Sequence, residues 1–340
     1  MPSPSRLGGF KVLKDVARVT LLSHDQSRDF PSRLLQAVAE KKINLPYLTC
    51  VKDGQAYGLN MLVDASSGEK ICGLISNLFQ GLRPEATESA ILSIFPHRNN
   101  PEITGSLFQA FGRNRIEPDA VANSPSATSV VLKASILEQA SRALFGPFSF
   151  GAYRTPADWK LAQKGKEKLY KEVVASYQEQ RPKVYGLEYQ KGQELVNISF
   201  DKKRMADVGA SFRELANRGA NINFLATRAC DRDNEDHLLF CIPSTGTASI
   251  TEILNGAVQK EKIWCMAPVA TFSMNGPHFG DRYGIASELL QAFLEKGIDV
   301  IGLSCTIASI TGVVPSEQVE RAVESIQSCF EVPSIIKKGG

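Results

Sequence analysis

Ten residues, Asn275-Gly276-Pro277-His278-Phe279-Gly280-Asp281-Arg282-Tyr283-Gly284, link an apolar run, Ala267 to Met274, to a helical pattern that starts at Ile285. A helix start leaves backbone N–H groups without intrahelical partners, and its dipole favours an anion such as an amino acid's α-carboxylate. Gly276, Gly280 and Gly284 let the backbone approach such a ligand closely. Ser304, Cys305 and Thr306, at the end of the next strand, are positioned to supply one wall. The candidate effector-binding set is therefore Asn275, Gly276, Phe279, Asp281, Gly284, Ile285, Ala286, Ser304, Cys305 and Thr306. A second polar loop, Pro96 to Glu102, adds Asn99, Asn100 and Glu102, with Pro101 at a first helical position behind an asparagine that can cap.

The elements behind these loops recur. Leu289-Leu290-Gln291-Ala292-Phe293 has relatives in Leu34-Leu35-Gln36-Ala37-Val38, Leu107-Phe108-Gln109-Ala110-Phe111 and, more distantly, Ser211-Phe212-Arg213-Glu214-Leu215. Each follows an apolar strand and a polar loop and precedes a further strand, so the chain is a tandem repeat of four units in a duplicated pair. The reading divides it into a tail (1–8), unit one (9–82), unit two (83–150), a linker helix (151–182), unit three (183–262), unit four (263–336) and a tail (337–340). The fold class is α+β: four ferredoxin-like βαββαβ units that pair into two larger antiparallel sheets with helices on one face. A 70-residue unit leaves a strand edge open, so edge-to-edge pairing is expected, first unit with third and second with fourth.

Unit four resembles an ACT domain, the ligand-sensing module of amino-acid-regulated enzymes. The likeness rests on Tyr283-Gly284-Ile285-Ala286, the helix around Gln291, Gly297-Ile298-Asp299-Val300, Leu303-Ser304-Cys305-Thr306 and Arg321-Ala322-Val323. Gly186-Leu187-Glu188-Tyr189 and Leu195 to Phe200 resemble the strand pair that opens an aspartokinase regulatory tail. The resemblance implies allosteric regulation, with a pocket shared by the loop of one unit and the facing edge of another. Aspartokinase-type loops carry a glycine where the helix starts. Gly284 keeps it, while Asp29, Glu102 and Ala206 stand at the matching positions.

The Lys-Phe-Gly-Gly phosphate loop of an aspartokinase catalytic domain is missing, as are a P-loop and a Gly-x-Gly-x-x-Gly. His24, His97, His237 and His278 show no metal-ligand spacing, and a solvated or capping role is expected for each. The expectation is a non-catalytic, aspartokinase-like regulator or sensor, not an enzyme, with no catalytic residue, metal or cofactor. Its partners would be a free amino acid and a protein partner or second copy. The rival is a ligand-free regulatory or structural subunit joined to an enzyme such as aspartokinase. An RNA-binding module shares the topology but needs stacked aromatics on its central strands, and Val196-Asn197-Ile198 offers none.

Composition bounds these readings. The 340 residues are 43% hydrophobic and 22% charged, and a net charge of +3 is too small to imply a nucleic-acid partner. The basic run around Lys160 to Lys171 is interleaved with Glu167 and Glu172, as a solvated helix face is. Seven scattered cysteines fit a reduced, cytoplasmic setting, and neither a signal core nor a membrane span is apparent.

Overall fold

The computed structural model describes residues 4–24, 27–54, 56–163, 181–229, 235–244, 247–276, 279 and 282–339. Four segments repeat the order strand, helix, strand, strand, helix. After a short β1 (Ser5–Leu7), the first has β2 (Gly9–Ser23), α1 (Phe30–Glu40), β3 (Tyr47–Asp53), β4 (Ala56–Asp64) and α2 (Gly68–Leu78). The second has β5 (Ala86–Phe95), α3 (Pro101–Arg113), β6 (Ala120–Asn123), β7 (Thr128–Lys133) and α4 (Leu137–Ala143), followed by β8 (Phe148–Phe150) and α5 (Pro156–Gln163). The third has β9 (Gly186–Asp201), α6 (Met205–Asn217), β10 (Phe224–Arg228), β11 (Glu235–Pro243) and α7 (Thr247–Leu254). The fourth has β12 (Ile263–Asn275), α8 (Ile285–Glu295), β13 (Gly302–Cys305), β14 (Ser309–Pro315) and α9 (Val319–Cys329), then β15 (Ile335–Lys338). Of the expected linker helix, α5 is seen, and the stretch 164–180 lies outside the described residues.

Local chemistry sets these elements. In α8, Ile285, Leu289, Leu290 and Phe293 form the buried stripe, and Gly297 ends the turn with a positive φ of 63°. The β3–β4 hairpin turns at Asp53-Gly54, with Gly54 left-handed (φ 59°). On β3, Leu48 and Cys50 face the helices, whereas Tyr47 and Val51 face the opposite layer. Burial on both faces explains why this strand reads as a nearly continuous apolar run.

The fold is α+β and its large sheet is mostly antiparallel, but the pairing differs from the expectation. The first segment joins the fourth through β3 and β13 (Leu48 opposite Cys305, Cys50 opposite Leu303), and the second joins the third through β6 and β10. Duplication spacing shows which segments are alike. Like segments occupy equivalent places, so it is the unlike ones whose edges meet. Two separate sheets are not formed either. The long strands pair in two couples, β2 with β5 and β9 with β12, and carry the ladder between layers, giving a 13-stranded sheet. A further β9–β11 pairing closes twelve of its strands into a ring, with β15 added in parallel on β9.

The helices cover two outer faces, not one. Those of the first and fourth segments share one core, and those of the second and third share another. Smaller apolar clusters, including Val51, Phe224 and Val313, fill the space between the layers. There Thr49 Oγ1 and Asn60 Nδ2 donate to the Thr227 carbonyl at 3.2 and 3.3 Å.

The α3–α6 contact is the closest described here. A Cβ placed on Gly209 would lie 2.6 Å from the Gly105 carbonyl oxygen and 2.8 Å from the Gln109 nitrogen. Gly→Ala inside a helix ordinarily gains about 0.5–1 kcal/mol. Here the clash is with backbone, and overpacking of that kind costs about 1–3 kcal/mol. Gly209→Ala should therefore lower the denaturation midpoint. An unchanged or raised midpoint would show that the helices separate freely.

Candidate functional site

The site is built where α8 starts. Gly284 stands at its N-cap in the left-handed region (φ 89°, ψ −14°) and accepts from the Glu288 N–H at 2.9 Å. The turn delivers the first amides of α8 to a shallow recess that opens to solvent. The opposite wall comes from the first segment, through Leu35, Val38 and Ala39 of α1 and Leu48 of β3. Arg282 lines the recess and lies 3.8 Å from Glu288. Burial raises the Glu288 carboxyl above its ordinary range, and Arg282 counters this. A guanidinium beside free helix-start amides suits an anion, and the apolar α1 wall suits an aliphatic stem.

Phe279, Gly284, Ile285, Ala286 and Cys305 line this recess. Three other candidates on the same segment have structural partners, and a fourth, Ser304, faces away. Asn275 Oδ1 accepts from Ser309 Oγ at 2.6 Å. Gly276 donates to the Ala308 carbonyl at 3.1 Å, and a Cβ there would fall 2.6 Å from the Phe279 ring. Thr306 directs both its N–H (2.8 Å) and its hydroxyl (3.3 Å) at the Ser309 carbonyl, closing the β13–β14 turn. Ser304 sits between Leu303 and Cys305, which face the helices, so its side chain points to the other layer. Asp281 lies outside the described residues.

Asn99, Asn100 and Glu102 belong to the other layer. Asn99 (φ 55°) donates from Nδ2 to Asn223 Oδ1 at 3.0 Å. The Asn100 side chain accepts from the Glu102 N–H at 2.9 Å as the cap of α3. Glu102 is engaged by Arg213 of α6, whose Nε reaches both carboxylate oxygens at 2.9 and 3.1 Å. That partner is remote in sequence, and nothing local to Glu102 announces it.

Sequence reasoning missed the α1 wall because repeats do not say which edges meet. It also missed a second, solvent-open recess at the start of α1. There Arg28, Pro31 and Ser32 face Gly297 to Val300, and Arg28 pairs with Asp299 at 3.3 Å. The two recesses flank the α1–α8 contact in a roughly two-fold arrangement.

The Cys305 and Cys50 thiols are held protonated, since burial pushes both up, Cys50 to about 12. Neither is an activated nucleophile. Among the described residues no three His, Cys, Asp or Glu side chains are grouped to hold a metal, and no helix is long and apolar enough to cross a membrane.

No family model matches the chain, and no curated protein matches it. Solved structures do. An aspartate kinase from Synechocystis matches over 95% of this chain and 56% of its own, with a TM-score of 0.78 and 16% identity. The fold is similar to that of an aspartate kinase. The chain spans about 56% of that protein's length. The ligand-free regulatory subunit of aspartate kinase from Thermus thermophilus matches over 44% of this chain and 99% of its own (TM-score 0.37, 17% identity). Aspartokinase III from E. coli, in complex with aspartate and ADP, matches over 44% and 34% (TM-score 0.34, 14% identity).

These findings correct the reading drawn from the sequence. The structure that matches nearly the whole chain is a complete aspartate kinase, an enzyme, and not a regulatory tail without its kinase. The non-catalytic sensor and its ligand-free rival rested on the likeness to a regulatory tail, and the exclusion of enzyme activity on missing contiguous motifs. That argument is negative, because residues distant in sequence can converge in a fold.

Of the solvated or capping role expected for His97, solvation is ruled out by its burial. The residue is fully buried, with Nε2 2.9 Å from Thr104 Oγ1, and burial lowers its pKa from 6.5 to about 4. The unfolded chain therefore takes up the proton first. The stability from neutral His97 is complete above pH 6.5 and is lost as pH falls towards 4, a shift equivalent to roughly 3 kcal/mol. Asp236 opposes it, since burial raises its carboxyl to about 6, so its contribution grows as pH falls. The two are separated by comparing wild type with His97→Asn in denaturant titrations. The stability advantage of wild type should shrink steadily between pH 6.5 and 4, and a constant difference would place a charged imidazole in the folded protein.

Proposed function

We propose that the protein serves an aspartate-kinase-type activity, phosphoryl transfer from ATP to aspartate, and that an amino-acid effector controls it from the recess at the start of α8. The four segments are read as ACT units with the boundaries 9–82, 83–150, 183–262 and 263–336, in a cytoplasmic setting suited to the six described cysteines, all of which are free. The whole-chain likeness to an aspartate kinase supports the fold side of this reading. One observation carries the effector side: a solvent-open recess shared by two segments, with helix-start amides and Arg282 at one end and an apolar α1 wall at the other. The carboxylate docks at the Gly284–Ala286 amides, and the side chain lies along Leu35, Val38 and Ala39.

Gly284→Asp tests the placement. A Cβ there meets nothing closer than Ala39 Cβ at 3.7 Å, so space is available, and the cost is the left-handed backbone, about 1–2 kcal/mol. The new carboxylate would sit where the ligand's carboxylate docks. In protein isolated under native conditions from its source, aspartate-dependent ADP formation is followed while each of the twenty amino acids is titrated. One or a few should change the rate. At about a hundred times its dissociation constant, an effector adds roughly 2.7 kcal/mol of stability, visible as a raised melting temperature. Gly284→Asp should remain folded and lose both responses. Absence of aspartate-dependent ADP formation would refute the kinase reading, and a full response by the variant would put the effector elsewhere.

A further inference from the structure

The two helix pairs occupy equivalent places, one in each layer, and differ at a few positions. Aligning Gln36, Gln109, Arg213 and Gln291 sets Ser32 and Ser287 of the α1–α8 pair against Gly105 and Gly209 of the α3–α6 pair. The same alignment sets Ala39 against Gly112, and Gly284 against Ala206. One distance can therefore be compared like for like. A Cβ placed on Gly112 lies 2.8 Å from Ala206 Cβ, whereas a Cβ placed on Gly284 lies 3.7 Å from Ala39 Cβ. The α1–α8 pair is wider at the end where the first recess lies.

Polar contacts follow the same division. Arg213 reaches across from α6 to Glu102 (2.9 and 3.1 Å) and Gln109 (3.2 Å) of α3. Its counterparts turn back on their own helices. Gln36 Nε2 donates to Glu40 Oε1 at 3.2 Å, and Gln291 Nε2 donates to Glu295 Oε1 at 3.1 Å. One cross-helix bond is described in this pair, from Ser32 Oγ to Gln291 Oε1 at 3.0 Å.

We propose that Ser32, Ala39 and Ser287 are spacers that set the α1–α8 separation and so determine whether the recess admits an amino acid. Glycine at the matching positions, with the Glu102–Arg213 latch, closes the α3–α6 pair. The binding consequence rests on the effector reading above, while the spacing itself does not. The side chains act as shims. A helix pair approaches until its bulkiest facing atoms touch, and glycine lets backbone meet backbone.

Two variants test this. Ser32→Gly/Ala39→Gly/Ser287→Gly removes the spacers, and Asp29→Glu/Gln291→Arg transplants the latch without adding glycine to a helix. Crystal structures should show α1 and α8 drawn to the α3–α6 separation and the recess closed. Calorimetric titration with the amino acid that wild type binds should show affinity reduced at least tenfold. If α1 and α8 keep their wild-type separation in both variants, the spacer assignment is wrong whatever the ligand. If they close and the amino acid still binds with wild-type affinity, the recess is not its site. If wild type binds no amino acid, the effector reading fails, and the crystal structures still decide the spacing.

Discussion

Everything in this molecule depends on where the open strand edges go. Each segment forms its own hairpin sheet and leaves one short strand, β3, β6, β10 or β13, with unpaired backbone N–H and C=O groups on one side. Such an edge is a template for any other strand, and burying it unpaired is costly. The first and fourth segments cover each other's edges along β3 and β13, and the second and third do so at β6 and β10. That choice brings α1 beside α8 and α3 beside α6, and every feature of the candidate site follows from those two juxtapositions.

Much of this was legible in the residues. The buried stripe of α8, the Asn100 cap, the glycine turn at Asp53-Gly54 and the α+β class can all be read from spacing and residue type, because each is decided within a few residues. The edges that meet are decided by surfaces a hundred or more residues apart. The α1 wall, the Glu102–Arg213 pair and the burial of His97 were hidden for that reason. Thr306 shows the converse. Its place at a strand end suggests a ligand wall, yet the tight turn to Ser309 takes both of its donors. The lack of a contiguous phosphate loop does not exclude catalysis, and the fold likeness to an aspartate kinase spans 95% of the chain.

The two layers divide the work between them. Helix backbones touch through Gly105 and Gly209 in one, and a charged side chain spans the pair. In the other, serine and alanine hold the helices off, and recesses flank the contact. A duplicated architecture thus combines a close-packed platform with a pair left open on both sides, and the two pairs differ in a handful of small side chains and in the Glu102–Arg213 ion pair.

Ring closure of the ladder has a mechanical consequence. In an open sheet, a tilt of one strand can dissipate at the nearest free edge. Here β9 hydrogen-bonds to both β11 and β12, so twelve strands form a closed linkage in which angular displacements must sum to zero. A rotation imposed at the β3–β13 joint then has to reappear at other joints of the circuit, such as β6–β10, where Ala122 pairs with Ala226 and the Val121 N–H donates to Thr227 Oγ1 at 2.8 Å. The molecule is kinematically closer to a hinged loop than to a stack of plates.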